Sequence, residues 1–202
     1  MNEAMKSKQG TKHKSEQERR IQILRCSMEI FISNGYHKAT MKEIMAATEL
    51  SKGAIYHYFS SKEQIFIAIV HDFEQQLKSD FGNVATSENP LLEIKKIINT
   101  NLDEMIRFYR MSIVCLEITE SDSVQQCFDE CSRYIRACMT EAINEKYDLS
   151  SRVNADDVVT SFNLMMEGLF SMAVTQHSFD ARNELAKVLR ILDYLLEVPE
   201  KE

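Results

Sequence analysis

Residues Ser51 to Glu63 read SKGAIYHYFSSKE, with three aromatics, a histidine and two lysines in thirteen positions. Placed on a helix from Lys52 to about Tyr58, Ile55 and Phe59 lie four apart and share one face. That face is positioned to bury against Ile44 and Phe31. Lys52 with Tyr56, and Gly53 with His57, form the other four-apart pairs and lie away from the buried edge. The outer face is therefore cationic and hydrogen-bonding, and small residues at its leading end let the backbone approach a flat surface.

Working outward, Thr40-Met41-Lys42-Glu43 is a capping box opening a short helix, Met41 to about Thr48. Ser51 caps the next one. Two short helices joined by a tight turn, the second presenting such a face, form a helix-turn-helix, whose second helix enters the DNA major groove. Upstream, a helix is expected from Ser15, with Ile21, Leu24, Met28 and Phe31 on one face, ending at Asn34-Gly35. Downstream, Ser60-Ser61-Lys62-Glu63 repeats the capping pattern ahead of an amphipathic run through Ile65, Phe66, Ile69, Phe73 and Leu77. Residues 1–14 hold Lys6, Lys8, Lys12 and Lys14 with almost nothing apolar, and read as a disordered basic arm.

Five glycines and two prolines punctuate 202 residues, and no run alternates apolar with polar, so the fold class is all-α. The 44% hydrophobic content supplies a core. No apolar stretch reads as a membrane span and no leader pattern is seen, so a soluble cytoplasmic protein with no membrane partner is expected. Five cysteines without a CxxC pair then read as reduced thiols. Residues 1–62 carry eleven Lys/Arg against six Asp/Glu, a net of +5, and the remainder a net of −12. A basic front on an acidic body suggests that the front meets a polyanion. A solvated lysine-rich tail is the alternative.

After a loop from Phe81, Asn89 is a helix N-cap with Pro90 in the first turn. Further helices are expected over 90–109, 111–119, 122–146, 154–176 and 180–197, the last two started by Asn154 and Asp180. About nine helices result.

The residues also carry a resemblance. Ile23-Leu24, Phe31, Gly35, Thr40, Ile44, the run Ser51–Phe59 and Ser61-Lys62-Glu63 are similar, in order and spacing, to the N-terminal motif of the tetracycline-repressor (TetR) family. The likeness covers about residues 20–66. Two positions depart from the family pattern: Thr48-Glu49 stands where alanine-glycine is usual, and Met45 where alanine is usual. If the backbone at Glu49 needs a positive φ, its side chain costs on the order of 1 kcal/mol.

The resemblance implies a homodimer with a helix-turn-helix DNA-binding domain over 15–62 and a ligand-binding and dimerisation domain over 63–202. It implies an operator-binding regulator, most simply a repressor of a palindromic site, released by a small hydrophobic or cationic effector and needing no cofactor. Its DNA contacts would be Thr40, Ser51, Lys52, Gly53, Ala54, Tyr56, His57, Tyr58 and Lys62. Thr40, Tyr56, His57 and Lys62 would meet backbone phosphates, and Lys52 a phosphate or a guanine edge. Capping for Thr40, core packing for Tyr58 and plain solvation for the rest are the competing roles.

Beyond the helix-turn-helix, residues are less telling. Met105, Tyr109, Glu117, Phe128, Cys131, Met165 and Phe170 are candidate effector contacts, although such residues at helical spacing also make ordinary core. Glu117 and Glu120 flank an apolar run, and a carboxylate inside an apolar cavity would favour a cation. Phe162, Leu169, Val188, Leu192 and Leu195 lie on broad apolar faces of the last two helices and are candidates for a four-helix dimer interface. Gly168, mid-helix, suits close helix approach. Cys127, Cys131 and Cys138 share a face, so a thiol- or metal-responsive regulator is the alternative, although three thiols over more than two turns converge poorly on one metal. No catalytic residues, phosphate loop or metal-ligand spacing is found, which excludes the common enzyme motifs.

Overall fold

Each helix begins where its cap dictates. In a computed structural model, residues 15–115, 122–149 and 153–196 are described; side chains at 115, 122–125, 127 and 128 are outside that description. Ser15, Thr40 and Asn154 form complete capping boxes with Glu18, Glu43 and Asp157, starting α1 (Glu16–Asn34), α2 (Met41–Thr48) and α7 (Ala155–Thr175). Ser51 accepts from the Ala54 N–H at 3.2 Å to start α3 (Lys52–Tyr58). The cap of α4 (Lys62–Phe81) is Ser61, bonded by the Gln64 N–H, while Gln64 Oε1 accepts from the Ser60 N–H. The expected Ser60–Glu63 box is thus not formed: the cap lies one residue onward, and Gln64 reaches back past it to the Ser60 N–H. Asn89 Oδ1 accepts from the Leu92 N–H ahead of α5 (Pro90–Cys115). Asp180 does the same for Asn183 ahead of α8 (Ala181–Leu196). Between them lies α6 (Asp122–Lys146).

Eight helices and no strand occur among the described residues. The count falls short of nine because α5 runs unbroken through Arg110. Neither glycine nor proline interrupts it, and a long side chain such as arginine favours helix. Of the expected 111–119 helix, 111–115 belong to α5 and 116–119 lie outside the described residues, as does the arm over 1–14.

Two apolar clusters organise the chain. The first joins Ile23, Leu24, Met28 and Phe31 of α1 to Ile44, Ile55 and Phe59, and draws in Ile65, Phe66, Ile69 and Val70 of α4 with Met111 and Val114 of α5. Ile21 is 39% exposed, so the buried stripe of α1 is centred on residues 23, 24, 27, 28 and 31. The second cluster starts at Leu77 on α4 and fills the space among α4 to α8. Helix α4 therefore runs from one core into the other. Arg20, bonded to Asp72 at 2.5 and 3.0 Å, ties α1 to α4, and Arg107, bonded to Glu29, ties α5 to α1.

Helix α7 is, by length and composition, apolar enough to cross a membrane, contrary to the expectation from sequence. Its apolar residues have another use: Val158, Val159, Phe162, Met166 and Leu169 are buried in the second core, against α5, α6 and α8.

Glu49 closes α2 at φ 56°, ψ 23°, the left-handed conformation that disfavours a side chain. Glu49→Gly is expected to stabilise the chain by about 0.5–1 kcal/mol, the greater freedom of unfolded glycine offsetting part of the relieved strain. A thermal midpoint that stays level or falls would show that the turn is unstrained.

Candidate nucleic-acid interface and effector cavity

A seven-residue helix is too short to hold itself, so α3 depends on its anchor. Ile55 is 0% exposed and Phe59 7%, both in the first core with Ile44 and Phe31, as the spacing predicted. With that edge buried, Lys52, Gly53, Tyr56 and His57 are exposed and share the outer face. Tyr56 keeps 43% of its surface, and the Lys52 ammonium lies 5.7 Å from its ring centroid. A Cβ built on Gly53 meets nothing within 4 Å, leaving the backbone open to approach. Ala54 is half-buried. Tyr58 is also half-buried, packed on the first core, with its ring edge-on to His57 at 5.2 Å.

Thr40 performs its capping role. Its hydroxyl accepts from the Glu43 N–H at 3.2 Å and donates to the Glu43 carboxylate at 2.8 Å. Beside it, Lys38 and Lys42 are exposed and in no ion pair among the described residues. Neither was singled out from sequence, although both flank the cap.

Lys62 is placed differently from the expected phosphate contact. Its ammonium donates to the carbonyls of Tyr36, His37 and Ala39 at 2.7, 3.2 and 3.0 Å and stands 4.5 Å from the Tyr36 ring centroid. An ammonium has three donors, and all three are used inside the chain. Lys62 thus pins the α1–α2 connection to the start of α4.

Between α4, α5, α6 and α7 lies a cavity of about 410 Å³. Met105, Tyr109, Cys131 and Phe170, candidate effector contacts from sequence, line it, while of the two adjacent methionines it is Met166 that lines it and Met165 packs on the second core. Glu117 and the Phe128 side chain lie outside the described residues, as do Glu120 and the Cys127 side chain. Phe73, Phe108, Asn163 and Glu167 also line the cavity and are not effector candidates from sequence, because each fits an ordinary amphipathic pattern. Phe73 and Phe108 stack at 3.7 Å and 12°, and this pair also walls a second cavity, about 330 Å³, against α1.

Burial, reinforced by Glu74, pushes the Cys131 thiol up to about 11, so it is protonated at neutral pH and a poor nucleophile. Cys138 is half-buried. No group of three metal-binding side chains occurs among the described residues.

The dimer candidates divide. Phe162, Leu169 and Leu192 are 2%, 4% and 0% exposed within their own chain, and Phe162 also lines the cavity, so they are taken up by the second core. Val188 and Leu195 are partly buried on that core. The outward apolar residues of α7 and α8 are instead Leu164, Met172, Ile191 and Tyr194.

Residues 23–69 match the family model described as bacterial regulatory proteins, tetR family. Over that stretch the chain belongs to the TetR family of transcriptional regulators. It is accordingly a DNA-binding protein and not an enzyme. The transcriptional repressor AcnR of Corynebacterium glutamicum is 26% identical to this regulator over 175 residues, covering 82% of this chain and 87% of that protein. The regulator UidR of Escherichia coli K12 is 39% identical over 62 residues, 31% of this chain and 32% of UidR. Among solved structures, E. coli NemR in its reduced form superposes with a TM-score of 0.70 at 17% identity, covering 91% of this chain and all of that one. SmeT, the repressor of the Stenotrophomonas maltophilia multidrug efflux pump SmeDEF, gives 0.68 at 18%, covering 90% and 94%. At such identities these structures establish the shared fold.

Proposed function

We propose that this regulator is a cytoplasmic repressor that binds a palindromic operator as a homodimer and releases it when a small hydrophobic or cationic effector enters the 410 Å³ cavity. In this reading residues 15–62 bind DNA, helped by the basic arm over 1–14, and 63–202 bind effector and partner. The observation that carries it is the exposed Lys52–Tyr56–His57 face of α3, backed by a fully buried Ile55. Phosphate contacts supply affinity and base-edge contacts specificity, and this face offers donors for both. Thr40 and Ser51 orient the helix ends, Gly53 and Ala54 allow close approach, and Tyr58 steadies His57.

The dimer reading rests on Leu164, Gly168 and Met172, four apart along α7, beside Ile191 and Tyr194 of α8. A Cβ at Gly168 meets nothing within 4 Å, so a second helix has room there. Val188 and Leu195 would form the inner edge of that interface. Repression is favoured by the names of AcnR and SmeT, each called a repressor. Effector access is favoured by a cavity whose wall includes α4, the helix shared by both cores.

The test is selection of duplex DNA from a random pool by the purified full chain, with sedimentation of the complex. Two half-sites related by two-fold symmetry and a dimer on the duplex are expected. Recovered DNA without sequence preference, or a monomer on it, overturns the reading.

A further inference from the structure

Among the described residues, Glu167, on α7, is the single charged side chain lining the 410 Å³ cavity, and no lysine, arginine or histidine accompanies it there. Six aromatic rings share that lining, among them the stacked Phe73 and Phe108 and the Tyr109–Phe170 pair at 5.7 Å. Among the described residues Glu167 enters no hydrogen bond or ion pair. Its apolar surroundings press its carboxyl above the usual carboxylate range. The contrast with Glu74 is informative. Glu74, 5% exposed, has Lys78 as its counter-charge one turn along α4. Glu167, itself exposed to solvent on one side, lines the cavity without one among the described residues.

On the reading that this cavity is the effector site, we infer that its ligand is an organic cation with an apolar or aromatic body, and that Glu167 is the counter-ion setting this preference. Three features combine. Aromatic faces attract a cation through their quadrupole, and more strongly where water is thin. A carboxylate that is exposed on one side and borders apolar walls on the other gains modestly from a partner bringing the opposite charge. An anionic ligand would meet that carboxylate with no cationic side chain among the described lining to neutralise it. Within the size range of small-molecule sites, 410 Å³ suits a body of one or two rings carrying an alkylammonium group. Neutral apolar ligands would fit the walls equally but leave Glu167 as it is, so charge discriminates and shape does not.

The experiment compares benzyltrimethylammonium with neopentylbenzene, its neutral carbon isostere, by calorimetric titration of the full-length chain. Wild type is expected to bind the cation about tenfold more tightly than the isostere, a difference that one partly solvated ion pair and the surrounding ring faces supply together. Glu167→Gln keeps shape and hydrogen bonding and is expected to bring the two ligands within about twofold, mostly by weakening the cation. Retained binding of the isostere by this variant shows that its cavity is still folded. Ser132→Phe places a ring at the cavity wall from an exposed position and should weaken both ligands. A cation bound no more tightly than the isostere, or a preference that survives Glu167→Gln, overturns the charge assignment. If the isostere still binds and responds to Ser132→Phe, the effector cavity stands without it. Should neither ligand bind, or neither respond to Ser132→Phe, the cavity reading falls as well.

Discussion

Lys52→Ala is expected to weaken binding to the selected operator about a hundredfold while leaving the thermal midpoint where it was. The estimate takes about 1.4 kcal/mol for each lost lysine contact and two contacts in a symmetric dimer. The side chain is exposed, joined only by its position over the Tyr56 ring, so nothing in the fold depends on it. If the contact is to phosphate, the slope of log affinity against log salt should also drop by about one per half-site. Lys62→Met gives the opposite pattern. Three carbonyls lose a shared cationic donor, and the loss should appear as a lower midpoint, on the order of 2–3 kcal/mol, with the salt slope unchanged. A salt slope that falls for Lys62→Met and holds for Lys52→Ala would exchange the two roles.

Lys62 also shows how far a sequence speaks. A lysine in the first turn of a helix opposes the helix dipole, so its presence at the start of α4 asks for a compensating partner elsewhere. That signal was available, but the partners, the carbonyls of residues 36, 37 and 39, come from a turn more than twenty residues away. Local rules fared better. Thr40, Asn89, Asn154 and Asp180 each need only the next three residues to cap a helix, and each does so. The strain at Glu49 was foreseeable for the same reason, being a property of one backbone position.

Periodicity is less specific. It marks an apolar face without saying which surface covers it. Phe162, Leu169 and Leu192 were assigned to a partner chain from breadth of face alone, whereas their own core absorbs them, and the outward stripe at Leu164 and Met172 belongs to a different phase of the same helix. The cavity was harder still. Its walls come from four helices, and Phe73 meets Phe108 only because α4 and α5 pack side by side. A glutamate in the run Met165-Met166-Glu167-Gly168 looks like any solvated position until the space beside it is known.

Phe66→Ala is the substitution expected to cost most. Phe66 is 0% exposed, its ring edge-on to Phe31 at 5.3 Å and to Tyr36 at 5.4 Å. Truncating a sealed aromatic leaves a cavity and removes ring contacts, together about 3–5 kcal/mol. For a chain of this size that corresponds to a fall in midpoint of roughly 6–20 °C. The consequence should reach Lys62, because Phe66 packs on Tyr36, whose carbonyl accepts the shortest of the Lys62 hydrogen bonds and whose ring lies under the ammonium. Once Phe66 is gone, Tyr36 loses its backing and the Lys62 clasp loses part of its worth. The double variant Phe66→Ala, Lys62→Met should therefore be less destabilised than the two losses summed, by about 0.5–1 kcal/mol. Strict additivity would mean that the aromatic triad and the lysine clasp hold α1 to α4 independently. Coupling would mean that the start of α4 is set by one unit, through which a change in the proposed effector cavity along the same helix would be passed to α1.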